Sequence, residues 1–302
     1  MSLSARGIMN RLAKTSNVLK EVDGQERKKL QETLLSCMQD LHQKCNENGI
    51  SYVLAGGSAL GAARHAGFIP WDDDIDVLMP RKDWELFKSR FPTILGDKYE
   101  LEGPNYGNKD TKNMWGKMYL KGTRMVEIQD VNMPFEKGVF IDIFIYDNVS
   151  HNKLTRMMDA KIIHFLNGVA GSQLLYRYPN VWLKQFYNAT IASRFYYFAR
   201  RTLGFLFSWI SHQKLCNWTD RFQSRHKFSG IITVSAGRKG YLGEIMNASD
   251  VFPAKEISFE GKYFFVANHV ELYLMKLYGR DYMQIPTKEK RERHFVYELD
   301  IP

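Results

Sequence analysis

The residues best suited to chemistry in this chain lie between Gly56 and Val77. Gly56-Gly57-Ser58 ends one apolar run, and Ile69-Pro70-Trp71-Asp72-Asp73-Asp74-Ile75-Asp76-Val77 carries an Asp-x-Asp pair into the next. Two carboxylates two positions apart on a strand point to one face, roughly 7 Å apart along the chain. Oxygen donors of that kind suit Mg²⁺ or Mn²⁺. A Gly-Gly-Ser turn that opens a helix offers backbone N–H groups to a phosphate. A phosphate cradle beside a divalent-cation site implies chemistry on a nucleotide or another phosphoester.

Two blander explanations fit less well. A calcium loop starting at Asp72 would need Gly at its sixth position, where Val77 stands, and it meets Pro80 at its ninth. A solvated acidic loop does not account for Ile75 and Val77 alternating with Asp74 and Asp76, which is the pattern of a half-buried strand.

A third carboxylate joins them from further along the chain. Val139-Phe140-Ile141-Asp142-Ile143-Phe144-Ile145-Tyr146 is apolar on both faces and reads as a central strand. Asp142 in its middle is costly to bury unless it is hydrogen-bonded, paired or bound to metal. It is expected beside Asp74 and Asp76, either as a metal ligand or as the base that takes a proton from an attacking hydroxyl. Arg64, six residues past Ser58, either reaches the same phosphate or lies on the surface. Lys117, on a strand from Trp115 to Tyr119, is a further phosphate candidate.

The elements that must position these groups follow from periodicity and turn residues. Leu30, Leu34, Met38, Leu41 and Cys45 recur at helical spacing over residues 24–48, and Asn48-Gly49 supplies a left-handed stop. Strands are expected at 50–55, 74–79, 99–101, 114–120, 124–129, 139–146 and 231–234. A hairpin turning at Gly261 is expected over 259–266, and helices at 56–65, 80–91 and 268–278. This is an α/β (α+β) pattern with a mixed sheet and flanking helices.

Composition narrows the class. The 302 residues are 44% hydrophobic, enough for a sizeable core. Three cysteines without zinc spacing fit a reduced, cytoplasmic compartment. The polar, basic first twenty residues do not read as a signal peptide, and no apolar run is long enough to span a bilayer. Residues 151–227 hold 12 Lys+Arg against 2 Asp+Glu, a net of +10, which leaves the rest at −1 within the total of +9. The same stretch holds 15 of the 41 aromatics. Such a helical, basic and aromatic segment fits either a core with a solvated rim or peripheral contact with an anionic membrane surface. No nucleic-acid motif is present, and no nucleic-acid partner is expected.

The run Leu54-Ala55-Gly56-Gly57-Ser58-Ala59-Leu60-Gly61-Ala62-Ala63-Arg64-His65, closing with Ile69 to Val77, resembles the LicD family of phosphotransferases, whose signature fukutin and fukutin-related protein share. The strand around Asp142 resembles the family's second acidic strand. Tyr278-Gly279-Arg280-Asp281-Tyr282-Met283, through Pro286 and His294, resembles its C-terminal motif. The resemblance runs from about Glu26 to Phe295, loosely between Ser150 and Gly230. A cysteine–histidine zinc cluster and a proline near Ala267 are absent.

The resemblance implies a nucleotidyltransferase-like fold. It divides the chain into an N-terminal extension (1–25), a catalytic core (26–150), a helical basic and aromatic region (151–230) and a part completing the core (231–302). It also implies metal-dependent transfer of a phospho-alcohol, phosphocholine being the bacterial case, from a CDP-alcohol to a sugar hydroxyl of a cell-surface, lipid-linked glycoconjugate, with CMP released. Asp74, Asp76 and Asp142 would hold Mg²⁺ or Mn²⁺. Gly56, Gly57, Ser58, Arg64, Lys117, Arg280 and His294 would bind substrate. A nucleotidyltransferase proper, moving a nucleotide onto a small molecule or RNA, uses the same parts and stays open, as does a non-catalytic membrane-associated scaffold.

Overall fold

The computed structural model describes residues 20–22, 24–107, 111–188, 190–287, 291 and 295–302. A mixed sheet forms its centre. Its strands are β2 (Val53–Leu54), β3 (Asp76–Pro80), β7 (Phe140–Asn148), β5 (Gly116–Leu120) and β4 (Tyr99–Glu102), in that spatial order. β3 and β7 run parallel, and the other neighbours in this order are antiparallel. The far end of β7 continues into β8 (Ile231–Thr233) and β9 (Met246–Asn247). β7 is central, as its two apolar faces require. Ile141 and Ile143 are fully buried on either side of Asp142.

Helices cover the sheet. α1 (Gly24–Glu47) buries Leu30, Leu34, Met38, Leu41 and Cys45, the stripe its spacing sets, and Gly49 stops it with φ 64°. α2 (Gly56–His65) and α3 (Arg81–Ile94) each leave a strand of the sheet directly. The hairpin of β10 (Lys255–Phe259) and β11 (Lys262–Val266) packs with α10 (Val270–Tyr278) on the same core. Phe259, Phe264, Tyr273 and Leu274 are buried there. A second sheet joins β1 (Lys20–Glu21), β12 (Phe295–Asp300) and β6 (Arg124–Glu127).

The basic, aromatic stretch is helical: α4 (Lys153–Arg177), α5 (Val181–Tyr187), α6 (Ile191–Leu206) and α7 (His212–Gln223). Short helices α8 (Gly240–Gly243) and α9 (Ala248–Val251) follow. Arg81, at the start of α3, ties this stretch to the sheet. Its guanidinium donates twice to Asp147 on β7, both at 2.7 Å, and once to Asp220 on α7 at 2.7 Å.

The structure corrects several expectations. β3 begins at Asp76, so Asp74 lies in the preceding loop, not on a strand. β2 shrinks to two residues, β6 gives way to a 3₁₀ turn at Ile128–Asp130, and α3 runs three residues further than expected. β12, whose outer half is polar, carries no strand signal.

Candidate active site

Three strands bring charged side chains into one row. Asp76 on β3 is in register with Asp142 on β7, and Asp142 with Lys117 on β5. The backbone N–H of Asp142 donates to Ile75 O at 3.0 Å, and that of Ala55 to Asp76 O at 2.9 Å, which locks the row to the mouth of α2. Lys117 Nζ lies 3.2 Å from Asp142 Oδ1, which also accepts from the Trp115 indole N–H at 2.8 Å. Lys117 is therefore Asp142's partner, and its ammonium also sits 3.1 Å from the centre of the Phe140 ring. Lys117, the further phosphate candidate, is thus ion-paired within the row.

The start of α2 is built for close approach. Gly56 has φ 47°, and a Cβ there would meet Asp76 Oδ2 at 2.8 Å. A Cβ on Gly57 would meet Asp72 Oδ2 at 2.7 Å. Both glycines thus let carboxylates stand against the first turn of the helix, where backbone N–H groups lack intrahelical partners. The Gly56 N–H is taken by the Tyr273 hydroxyl at 3.0 Å. The Ser58 hydroxyl accepts from the Asp76 N–H at 2.9 Å, which ties the helix to the start of β3.

A cavity of about 450 Å³ opens over these groups. Asp72, Asp74, Asp76, Glu244 and Asp281 line it, against Arg64 and Arg238. Burial first, then Asp74, Asp142 and Asp72, push the Asp76 carboxyl well above the usual carboxylate range, with Lys117 opposing. Ligand oxygens of Asp72, Asp73 and Asp74 all lie within 4.8 Å of one another, a group that differs from the expected triad of Asp74, Asp76 and Asp142. An oxygen-only donor set is the one that Mg²⁺ and Mn²⁺ take. Five carboxylates around one cavity also leave an anionic substrate repelled unless cations intervene.

The other expected residues divide. Arg64 lines the cavity, but its guanidinium donates to the carbonyls of Tyr282 at 2.9 Å and Gln284 at 3.2 Å, holding the C-terminal loop in place. Arg280 is exposed and absent from the lining, whereas its successors Asp281 and Tyr282 form part of it. His294 lies outside the described residues. Sequence reasoning assigned no role to Tyr273, Arg238 and Glu244. The loop 236–240 held the only local signal, a Gly-Arg-Lys-Gly run.

Carboxylates gathered over a glycine-opened helix, at the edge where two parallel strands begin, are an arrangement suited to transfer of a phosphorus-containing group. Residues 49–167 match the family described as LicD/FKTN/FKRP, nucleotidyltransferase domain, and this match, with the relative that follows, supports a place among the LicD phosphotransferases. It is 28% identical to a lipopolysaccharide cholinephosphotransferase, LicD, of Haemophilus influenzae, over 90% of this chain and 98% of that one. Uncharacterized proteins of Rickettsia typhi and Rickettsia prowazekii are 39% and 41% identical over 70 and 51 residues, about a fifth of each chain.

Proposed function

We propose that the protein transfers a phospho-alcohol, phosphocholine foremost, from a CDP-activated donor to a sugar hydroxyl of a lipid-linked glycoconjugate, releasing CMP. One observation carries the reading: the row of Asp76 and Asp142 beneath a cavity to which Asp72, Asp74, Asp76, Glu244 and Asp281 all contribute carboxylates. The similarity to a cholinephosphotransferase supports the substrate class.

In the reaction, the acceptor oxygen forms a new O–P bond and the P–O bond to CMP breaks. The bond's electron pair leaves with CMP, and the hydroxyl proton passes to a carboxylate, for which Asp142 is the candidate. Asp72, Asp73, Asp74 and Asp76 are the residues that would hold Mg²⁺ or Mn²⁺. Once bound, the ion would offset the charge of the diphosphate and of the departing CMP. The first turn of α2, opened by Gly56 and Gly57, would lie against the diphosphate. Trp71, Tyr278 and Tyr282 line the same cavity beside Asp72 and Asp281. Aromatic faces with carboxylates nearby suit a quaternary ammonium.

The acceptor's lipid gives the exposed helical face a role at an anionic, cytoplasmic membrane surface. No helix among the described residues is long and apolar enough to cross a membrane, so such contact is peripheral. The test of the reaction is CMP release from a panel of CDP-alcohols with Mg²⁺ or Mn²⁺, followed by mass spectrometry of the acceptor. An added phospho-alcohol is the expected result. An added nucleotide mass would make the protein a nucleotidyltransferase proper, and failure to turn over any CDP-alcohol would overturn the reading.

A further inference from the structure

A second cavity, of about 510 Å³, lies between the sheet and helices α4, α5 and α6. That is within the range of ligand pockets, about 300–1,000 Å³. It adjoins the first. Gly237 lines both, and the Trp115 ring on its wall stacks at 5.6 Å on Phe144, which lines the first cavity. The indole N–H of Trp115 donates to Asp142 at 2.8 Å, so a residue of this cavity's wall touches the row of charged residues.

Its polar lining is unlike that of the first cavity. Asn113 Nδ2, Asp130 Oδ1, Asn167 Oδ1 and Ser235 Oγ are buried side-chain atoms without a hydrogen-bond partner among the described residues, and all four residues line this cavity. Asn113, Asp130 and Ser235 are only 6%, 6% and 8% exposed. Buried polar atoms are rarely left without partners, so such a concentration calls for one. The set mixes donors and acceptors. Of its charges, Lys112 binds the other oxygen of Asp130 and Arg200 donates to the Ser172 hydroxyl at 3.3 Å. A metal ion would find no carboxylate cluster here, since Asp130 stands alone in the lining and is paired with Lys112. A neutral polyol fits, because each hydroxyl both donates and accepts. The rings of Trp115, Tyr178 and Tyr187, also in the lining, offer the flat apolar surface on which a sugar ring packs.

We infer that this second cavity, built by the helical insertion, binds the sugar acceptor and presents its hydroxyl toward Asp142. The inference rests on the transfer reaction proposed above, but its test does not require turnover. Asn167→Leu and Ser235→Val replace two of the orphaned atoms with apolar groups. Wild-type full-length protein is mixed with methyl glycosides of neutral hexoses and N-acetylhexosamines and studied by saturation-transfer difference NMR, with CDP-choline binding followed separately by calorimetry. The expected result is glycoside binding by wild type that weakens by about 10-fold or more in each variant, as loss of a buried polar contact does, while CDP-choline affinity holds. Loss of glycoside binding in the variants supports the site even if CDP-choline proves not to bind, which would count against the donor alone. Absence of glycoside binding by wild type overturns the inference. So does equal binding by folded variants, since the orphaned atoms would then be satisfied by water. Thermal unfolding checks the variants. Should Asn167→Leu not fold, Ser235→Val and the wild-type result decide.

Discussion

Asp76 and Asp142, 66 residues apart in sequence, stand opposite each other in parallel register on β3 and β7. One is buried among further carboxylates that disfavour its ionisation; the other is held by a lysine and an indole. The two neighbouring carboxylates thus stand in different surroundings, and a cation in the cavity is what would let Asp76 keep its charge among the others.

Replacing Asp76 with Asn should therefore separate activity from stability. Turnover should fall by at least about 100-fold if a bound cation carries transition-state charge. The metal-free melting temperature should rise by about 2–4 °C, the response to ~1 kcal/mol of relieved repulsion. Asp74→Asn should show the activity loss as well. Calorimetry and CMP-release assays on the same preparations measure both effects. Near-normal turnover of either variant at saturating Mg²⁺ would remove that residue from the site.

How far this site is legible in the sequence depends on distance along the chain. Gly56, Gly57 and Asp76 are near neighbours, and residue type and spacing expose them. Asp142 is visible because a carboxylate interrupts an apolar strand. The shared face of Asp74 and Asp76 is not there, since the sheet begins pairing only at Asp76. Tyr273 meets Gly56 across 217 residues, and nothing in either stretch announces the contact. The same holds for Lys117, which carries the charge of a phosphate ligand but finds its counter-ion on the next strand. Pairing partners set by tertiary packing leave no periodic trace.

Arg81 offers a test of how the helical stretch is held. Its guanidinium bridges Asp147 and Asp220, whose side chains are 4% and 5% exposed. Asn105 adds a hydrogen bond to Asp220 at 2.6 Å. Arg81→Met leaves two buried carboxylates without their cation. Breaking a buried pair in this way costs roughly 3–5 kcal/mol. Urea unfolding should show that loss, and a change below about 1 kcal/mol, the range of exposed pairs, would mean the bridge is solvated.

His42 on α1 gives the apoprotein an acid-sensitive point. Burial holds its imidazole below the usual 6.5, with Glu256 opposing. Nδ1 lies 2.6 Å from the Tyr52 hydroxyl, and the ring packs edge-on against Phe264 at 5.4 Å. As pH falls, the unfolded chain takes up the proton first. This contribution to stability is therefore complete above about 6.5 and shrinks as pH drops from there toward the folded-state value. Melting temperatures measured from about pH 7.5 to 5.5 should fall less steeply in His42→Gln than in wild type. Parallel slopes would show that other groups set the acid response.

The helical stretch carries the last prediction, and the structure sharpens it. Ile191, Phe195, Phe198 and Phe205 recur three, four or seven residues apart on α6 and are 80%, 73%, 70% and 57% exposed, with Trp209 beyond them at 79%. Leu154, Met158, Ile162 and Phe165 make a similar exposed stripe on α4, which packs along α6. These aromatics are thus not the interior of a subdomain, and an exposed stripe of this kind marks a contact surface. Exposed Lys153, Lys161 and Arg194 flank it. Arg200, by contrast, turns inward to Ser172 at 3.3 Å and lines the second cavity, so it is no part of this face. Each basic residue close to an anionic bilayer contributes about 1 kcal/mol at low salt. The apolar stripe adds a component that salt does not screen. Wild-type protein should sediment with phosphatidylglycerol-containing vesicles at low salt and less so at high salt. Phe195→Ser with Phe198→Ser should weaken binding at every salt concentration, whereas Lys161→Glu with Arg194→Glu should weaken it chiefly at low salt. If wild type stays in the supernatant at low salt, the face serves a protein partner or a second copy of the chain, and the membrane role is wrong.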